Sequence, residues 1–195
     1  KALEIVSKND TLTGDQIKDV KKYTGWGGIS GRNFNKYANQ IGQKVQMPAY
    51  QPKADAARWE YYTPLLVTYG TYNLLRPLRK HMHKHNGKVL ALEPSAGIGR
   101  FIEPFPVVTT KWYAVDKDLL SYNILSRIYP EVRSFQESFE SFVTSDVGKG
   151  LQGKFGLVIG NPPYGKRSSE LILQDPAYAG YGDLSDYQVV RGMSM

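Results

Sequence analysis

Cysteine is absent from the 195 residues, which excludes disulfides and thiolate metal sites and permits a reducing compartment. No apolar run approaches the roughly 18 residues that cross a bilayer, and no charged-then-apolar leader opens the sequence. Histidine occurs only three times. The three alternate at His81, His83 and His85 among lysines, with no carboxylate or thiol companion. That pattern reads as a solvated basic connection, so no metal is expected. Acidic residues are in the minority: 18 Asp and Glu face 25 Lys and Arg, a formal net charge of +7. Such a field draws polyanions and suits nucleic acid without requiring it. What remains is an ordinary globular composition, 41% hydrophobic and 22% charged. Its length fits one domain with an appended arm.

No internal repeat or low-complexity stretch interrupts the chain. Residues 1–52 read as a separate leading segment of short helices and linker, and 53–195 as the main domain. In the first part, apolar positions Ile17, Val20 and Tyr23 predict one helical face over 16–23. Thr24-Gly25-Trp26-Gly27-Gly28 breaks that helix and gives the backbone a path on which the indole packs closely in a buried turn. Residues 43–52 read as a linker. In the second part, Pro64 suits the first turn of a helix whose apolar face continues to Leu75. Strands are predicted at 88–92, 111–115, 132–136 and 155–159, with a helix over 119–129 that stops at Pro130. Strands alternating with helices indicate a parallel α/β sheet, whose ligands lie beyond the carboxyl ends of the strands.

Three loops at those ends stand out. Asn161-Pro162-Pro163-Tyr164 follows a buried strand. Its prolines fix two φ angles and remove two donors, leaving a rigid corner of acceptors beside an aromatic face. The Asn161 side-chain oxygen and the Pro162 carbonyl suit the two hydrogens of an exocyclic amino group, with Tyr164 stacked on its ring. Glu93-Pro94-Ser95-Ala96-Gly97-Ile98-Gly99-Arg100-Phe101 follows the first strand. Glycines there admit a ligand close to the backbone. A dinucleotide fingerprint needs a glycine at Ile102, and a P-loop needs Lys-Ser/Thr where Arg100-Phe101 stand. An adenosyl ligand without phosphates fits better. Asp116, at the end of the second strand, sits where a carboxylate meets a ribose diol; a helix cap is the structural alternative.

Leu92 to Phe101 resembles the AdoMet motif of N6-adenine DNA methyltransferases, and Asn161-Pro162-Pro163-Tyr164 matches their catalytic motif in full. Tyr62-Thr63-Pro64 resembles the N-terminal cofactor motif of the gamma subgroup. Tyr23-Thr24-Gly25-Trp26-Gly27-Gly28 is similar to a segment of large phage and plasmid proteins that couple a methyltransferase to a helicase. The resemblance spans residues 12–195. It implies a Rossmann-like AdoMet-dependent methyltransferase sheet, S-adenosyl-L-methionine as cofactor and DNA as partner. A helicase or target-recognition region would lie elsewhere in the full-length protein, in a bacterial, phage or plasmid cytoplasm. By position it implies that Thr63 holds the methionine carboxylate, and that Glu93, Ser95, Gly97 and Gly99 surround the amino-acid part. Asp116 would take the ribose, and Asn161, Pro162 and Tyr164 the target base. The adenine of the cofactor would meet Ser138, Phe139 or Glu140, with Phe139 chosen, although the family has Asp-Phe where this chain reads Ser-Phe-Glu. Arg100, Lys166 and Arg167 adjoin the site and are candidates for phosphate contact.

Two departures shape the expectation. The chain opens on Lys1 and closes at Met195, before the further strands of a full methyltransferase sheet, so a partial catalytic domain with little sequence specificity is expected. Two rival functions remain. One is methylation of an RNA guanine amino group or a protein glutamine amide, whose families also use Asn-Pro-Pro-Tyr but carry a more glycine-rich first loop. The other is a non-catalytic module with the same fold.

Overall fold

The computed structural model describes residues 1–9, 11–27, 33, 36 and 61–195. The linker expected at 43–52 lies outside them, as does Gly28. The sheet comprises β1 (Lys84–His85), β2 (Lys88–Glu93), β3 (Thr110–Asp116), β4 (Arg133–Gln136) and β5 (Leu157–Val158). β4 pairs with β3, β3 with β2 and β2 with β5, all parallel. β1 is the antiparallel exception, pairing Lys84 and His85 with Val89 and Lys88 at the start of β2. Asn86 and Gly87, at φ 50° and 78°, close that two-residue hairpin. The sequence reads only a polar connection there, whereas Asn-Gly is the pair that tolerates two consecutive left-handed residues. His81, His83 and His85 are all exposed.

Strand alternation sends side chains to two cores. From β2 and β3, Ala91, Trp112 and Ala114 enter one apolar cluster. Leu90, Leu92, Tyr113 and Val115 enter the other, with Phe139, Phe142 and Tyr187. Both faces are covered, which is why these strands read as unbroken apolar runs. The second face carries α5 (Phe139–Thr144) and α8 (Leu184–Met193). The first carries α4 (Leu119–Ile128), together with Tyr72 and Leu75 from the end of α3 (Leu65–Leu75). α6 (Asp146–Leu151) and α7 (Ser169–Gln174) complete the main domain. Side-chain oxygens of Asp118, Ser138, Ser145 and Ser168 cap α4, α5, α6 and α7 at Ser121, Ser141, Gly148 and Leu171.

The described part of the leading segment packs on the main sheet. Its helices are α1 (Ala2–Lys8) and α2 (Gly14–Val20), and Val6, Leu12, Val20 and Trp26 are buried in the same cluster as Ala91 and Trp112. Trp26 is 3% exposed, beside a left-handed Gly25 at φ 80°. α2 ends at Val20, short of the expected Tyr23, because the Tyr23 N–H turns back to the Val20 carbonyl at 2.9 Å. Pro64 is the N-cap of α3 rather than part of its first turn; its carbonyl accepts from Val67 and Thr68 at 3.0 and 3.2 Å. β5 is shorter than the strand expected at 155–159, yet Gly156 N–H and Ile159 N–H extend the ladder to Leu90 and Leu92 carbonyls at 2.9 and 3.0 Å.

Candidate active site

The carboxyl ends of β2, β3 and β5 lie side by side, so the three loops marked by the sequence come together. β2 delivers Glu93 and Pro94 into the turn of Gly97 (φ 54°) and Gly99 (φ 82°). Both conformations favour glycine, and both positions are also closed sterically. A Cβ on Gly97 would lie 2.6 Å from Tyr62 Cε1, and one on Gly99 would lie 2.8 Å from Tyr129 Cε2. β3 ends at Asp116, whose Oδ2 accepts the Gly97 N–H at 2.7 Å and whose Oδ1 accepts the Asp118 N–H at 2.8 Å. β5 leads into Gly160, which abuts the first loop: a Cβ there would sit 3.5 Å from Pro94 Cδ and 3.6 Å from Glu93 Cγ. Asn161, Pro162 and Pro163 follow half-buried, and Tyr164 is 56% exposed. The rigid corner thus begins directly beside the glycine turn.

Glu93 is 2% exposed, and its Oε2 has no hydrogen-bond partner. Burial, then the charge of Asp116, pushes its carboxyl well above the usual range; the Phe101 N–H opposes them. Burial also drives the Asp116 carboxyl up to about 6, against the pull of the Asp118 and Gly97 N–H groups. A folded-state value above the unfolded 3.8 means that the native protein holds more protons between about pH 4 and 6. Stability from this group is full below that window and is lost as pH rises through it. Asp116→Asn is therefore expected to flatten the fall of Tm between pH 4 and 6 in thermal melts, with the residual slope due to Glu93. An undiminished slope would show that Asp116 is not the titrating group.

The remaining candidates divide. Thr63 is half-buried next to Tyr62. Ser95 Oγ accepts from Gln188 Nε2 of α8 at 2.7 Å. Phe139, expected beside a ligand, is instead a core residue, 3% exposed with its ring edge-on to Tyr187 at 5.9 Å. Ser138 caps α5 and donates to Gln174 Oε1 at 2.7 Å, and Glu140 is held by Arg167. The acidic residue left in that turn is Glu137, half-buried, its carboxyl raised by burial. Its N–H donates to the Asp116 carbonyl at 3.1 Å. The sequence marked its neighbours through the Ser-Phe pair and passed over it.

Two expected phosphate contacts are corrected. Arg167 has a fully enclosed side chain: Nε meets Glu140 Oε1 at 3.0 Å, and the other nitrogens donate to carbonyls of Tyr178, Tyr181 and Leu171. Its guanidinium also lies 3.7 Å from the Tyr187 ring centre. Arg100 turns inward, donating to the carbonyls of Lys21 and Tyr23 at 2.7 and 3.0 Å. Both loops look basic in sequence, but carbonyls and a buried carboxylate take these donors. Lys166 stays exposed, in a surface pair with Asp183 at 3.0 Å that a stronger anion can displace. Among the described residues no group of three or more His, Asp or Glu is placed to hold a metal ion, and no helix is long and apolar enough to cross a membrane.

No family model and no curated protein matches the chain. Among solved structures, a Listeria monocytogenes protein described as a class I S-adenosylmethionine-dependent methyltransferase superposes with a TM-score of 0.55 at 13% identity. The match covers 98% of this chain and 60% of that one, so this chain spans about three fifths of its neighbour's length. A type I restriction-modification system methyltransferase subunit from Streptococcus thermophilus matches with a TM-score of 0.46 at 16% identity, over 79% of this chain and 32% of its own. The first likeness shows the fold: a mixed α/β, mostly parallel sheet of the Rossmann-like methyltransferase type.

Proposed function

We propose that this chain is the cofactor-binding and catalytic part of an AdoMet-dependent methyltransferase acting on the N6 amino group of adenine in DNA. The observation that carries this reading is the meeting, at one end of the sheet, of the Gly97 turn, the Asp116 carboxylate and the Asn161-Pro162-Pro163-Tyr164 corner.

The residues present fit AdoMet. A buried carboxylate oxygen without a partner, Glu93 Oε2, calls for a cationic donor such as the methionine ammonium. Each Asp116 oxygen accepts one N–H and has a lone pair left for a ribose hydroxyl. Thr63 would hold the methionine carboxylate. Glu137 replaces Phe139, Ser138 and Glu140 as the acceptor for the adenine amino group of the cofactor.

AdoMet, when bound, supplies an electrophilic methyl on a positively charged sulfur. The chain supplies position and polarity. A purine amino group is a poor nucleophile because its lone pair is delocalised into the ring. Acceptance of its two hydrogens by the Asn161 side-chain oxygen and the Pro162 carbonyl draws that nitrogen towards tetrahedral geometry and localises the pair. The exposed Tyr164 ring gives the base a face to stack on, offsetting part of the few kcal/mol needed to unstack it from a duplex. Lys166, exposed and paired at the surface with Asp183, is the cation of this loop that could exchange its partner for a phosphate. With labelled AdoMet offered alongside DNA, ribosomal RNA and release factor in separate reactions, the label is expected in DNA as N6-methyladenine. Transfer confined to RNA or to release factor would sink the DNA assignment.

A further inference from the structure

Residues 21–26 have no part in the chemistry above, yet they are fastened to the glycine turn at three places. Arg100, directly after Gly99, grips the carbonyls of Lys21 and Tyr23 at 2.7 and 3.0 Å. Glu103, in the same turn, pairs with Lys21 Nζ at 3.3 Å, both side chains being largely shielded at 18% and 29% exposed. The third fastening is Tyr62. Its ring packs against Tyr23, centroids 5.8 Å apart, and lies so close over Gly97 that even a methyl group would collide with it. Its hydroxyl is 2.9 Å from Ser121 Oγ. Ser121 commits its own hydrogen to Asp118 Oδ2 at 3.0 Å, so Tyr62 is the donor. Tyr62 therefore spans the glycine turn of β2 and the first turn of α4, the two elements that flank Asp116, while its other side rests on the N-terminal segment.

Resting on the methyltransferase reading, we propose that Tyr62 is a positioning residue through which AdoMet and the N-terminal segment stabilise each other. The segment presses Tyr62 onto Gly97, and Tyr62 holds the turn in the left-handed shape that keeps the Gly97 N–H on Asp116. A turn held in its bound shape before the ligand arrives costs less to order. By linkage, a ligand that stabilises the turn also stabilises the segment, to the same extent.

Two measurements on the intact chain test this. Hydrogen exchange with and without saturating AdoMet is expected to slow at residues 17–26, to which no ligand contact is assigned, and not at 146–151 on the other side of the sheet. Calorimetry with AdoMet is expected to give up to about fivefold weaker binding for Tyr62→Phe, the worth of one hydrogen bond, with Tm lower by no more than about 2–4 °C. Unaltered exchange at 17–26 together with unaltered affinity in Tyr62→Phe overturns the proposal and leaves the cofactor site standing. A lower Tm with unaltered affinity overturns it in favour of a purely structural tyrosine. Failure of the wild-type chain to bind AdoMet removes both this proposal and the reading beneath it.

Discussion

Asn161→Ala is expected to lower the rate of methyl transfer by about 10²–10³-fold, the usual cost of deleting one polarising group from a preorganised site, with AdoMet affinity unchanged. The asymmetry follows from where Asn161 stands. The ladder of β5 ends with Ile159 bonded to Leu92, and Gly160 fills the space beside Glu93 and Pro94, so Asn161 is the next residue along from the start of the glycine turn. In the proposed complex its side chain accepts from the base and not from the cofactor. Removing it leaves the Pro162 carbonyl as a single acceptor, which holds the amino group but does not turn its lone pair out of the ring. Asn161→Asp keeps an acceptor oxygen and is expected to lose less than alanine. Single-turnover transfer from labelled AdoMet to adenine-containing DNA reads the effect. An alanine variant with wild-type turnover would exclude Asn161 from the reaction.

How far such a site can be read from sequence depends on the range of the interactions that build it. The strands and the three loops are local: apolar runs end in Gly, Pro, Asn or Asp, and the parallel topology brings those ends together. Asp116 was legible as an acidic residue at a strand end, though not that its first partner is the Gly97 N–H. The Asn86-Gly87 hairpin was equally legible and, like Glu137, was passed over. What sequence cannot supply is the far partner of a charged side chain. Arg100 meets the carbonyl of Lys21, 79 positions away, and Arg167 meets Glu140, 27 positions away. Each stands next to a catalytic-looking motif, where a basic residue suggests phosphate contact. Folding brings each of them acceptors from other segments. The same long-range packing brings Val6, Val20 and Trp26 of the leading segment into the cluster of Ala91 and Trp112.

Arg167→Met shows how much depends on such a partner. The change leaves Glu140 at 3% side-chain exposure with its ionic partner gone, and also frees the carbonyls of Leu171, Tyr178 and Tyr181. Breaking one side of a buried pair costs roughly 3–5 kcal/mol. At about 2–4 °C of Tm per kcal/mol for a chain of this size, that is a fall on the order of 10 °C. The double variant Glu140→Met, Arg167→Met removes the stranded charge as well, so it is expected to recover much of the loss, because desolvation and not the missing attraction is the larger part of the penalty. Thermal melts of the two variants test this, and a double variant no more stable than the single would mean that the carbonyl contacts, and not the ion pair, set the cost. Function is then expected to separate from stability. The Arg167 backbone N–H donates to the Gly182 carbonyl at 2.7 Å, and the Leu184 N–H to the Gly165 carbonyl at 2.9 Å, and these main-chain bonds survive the change. The guanidinium bonds that gather the carbonyls of Leu171, Tyr178 and Tyr181 in the strip after Tyr164 do not. In the rescued double variant the guanidinium no longer gathers that strip, and transfer to DNA stays slow at a temperature where the protein is fully folded and binds AdoMet normally. A stable double variant with slow transfer would show that the guanidinium also orders the segment that follows Tyr164, and wild-type transfer would limit the pair to stability.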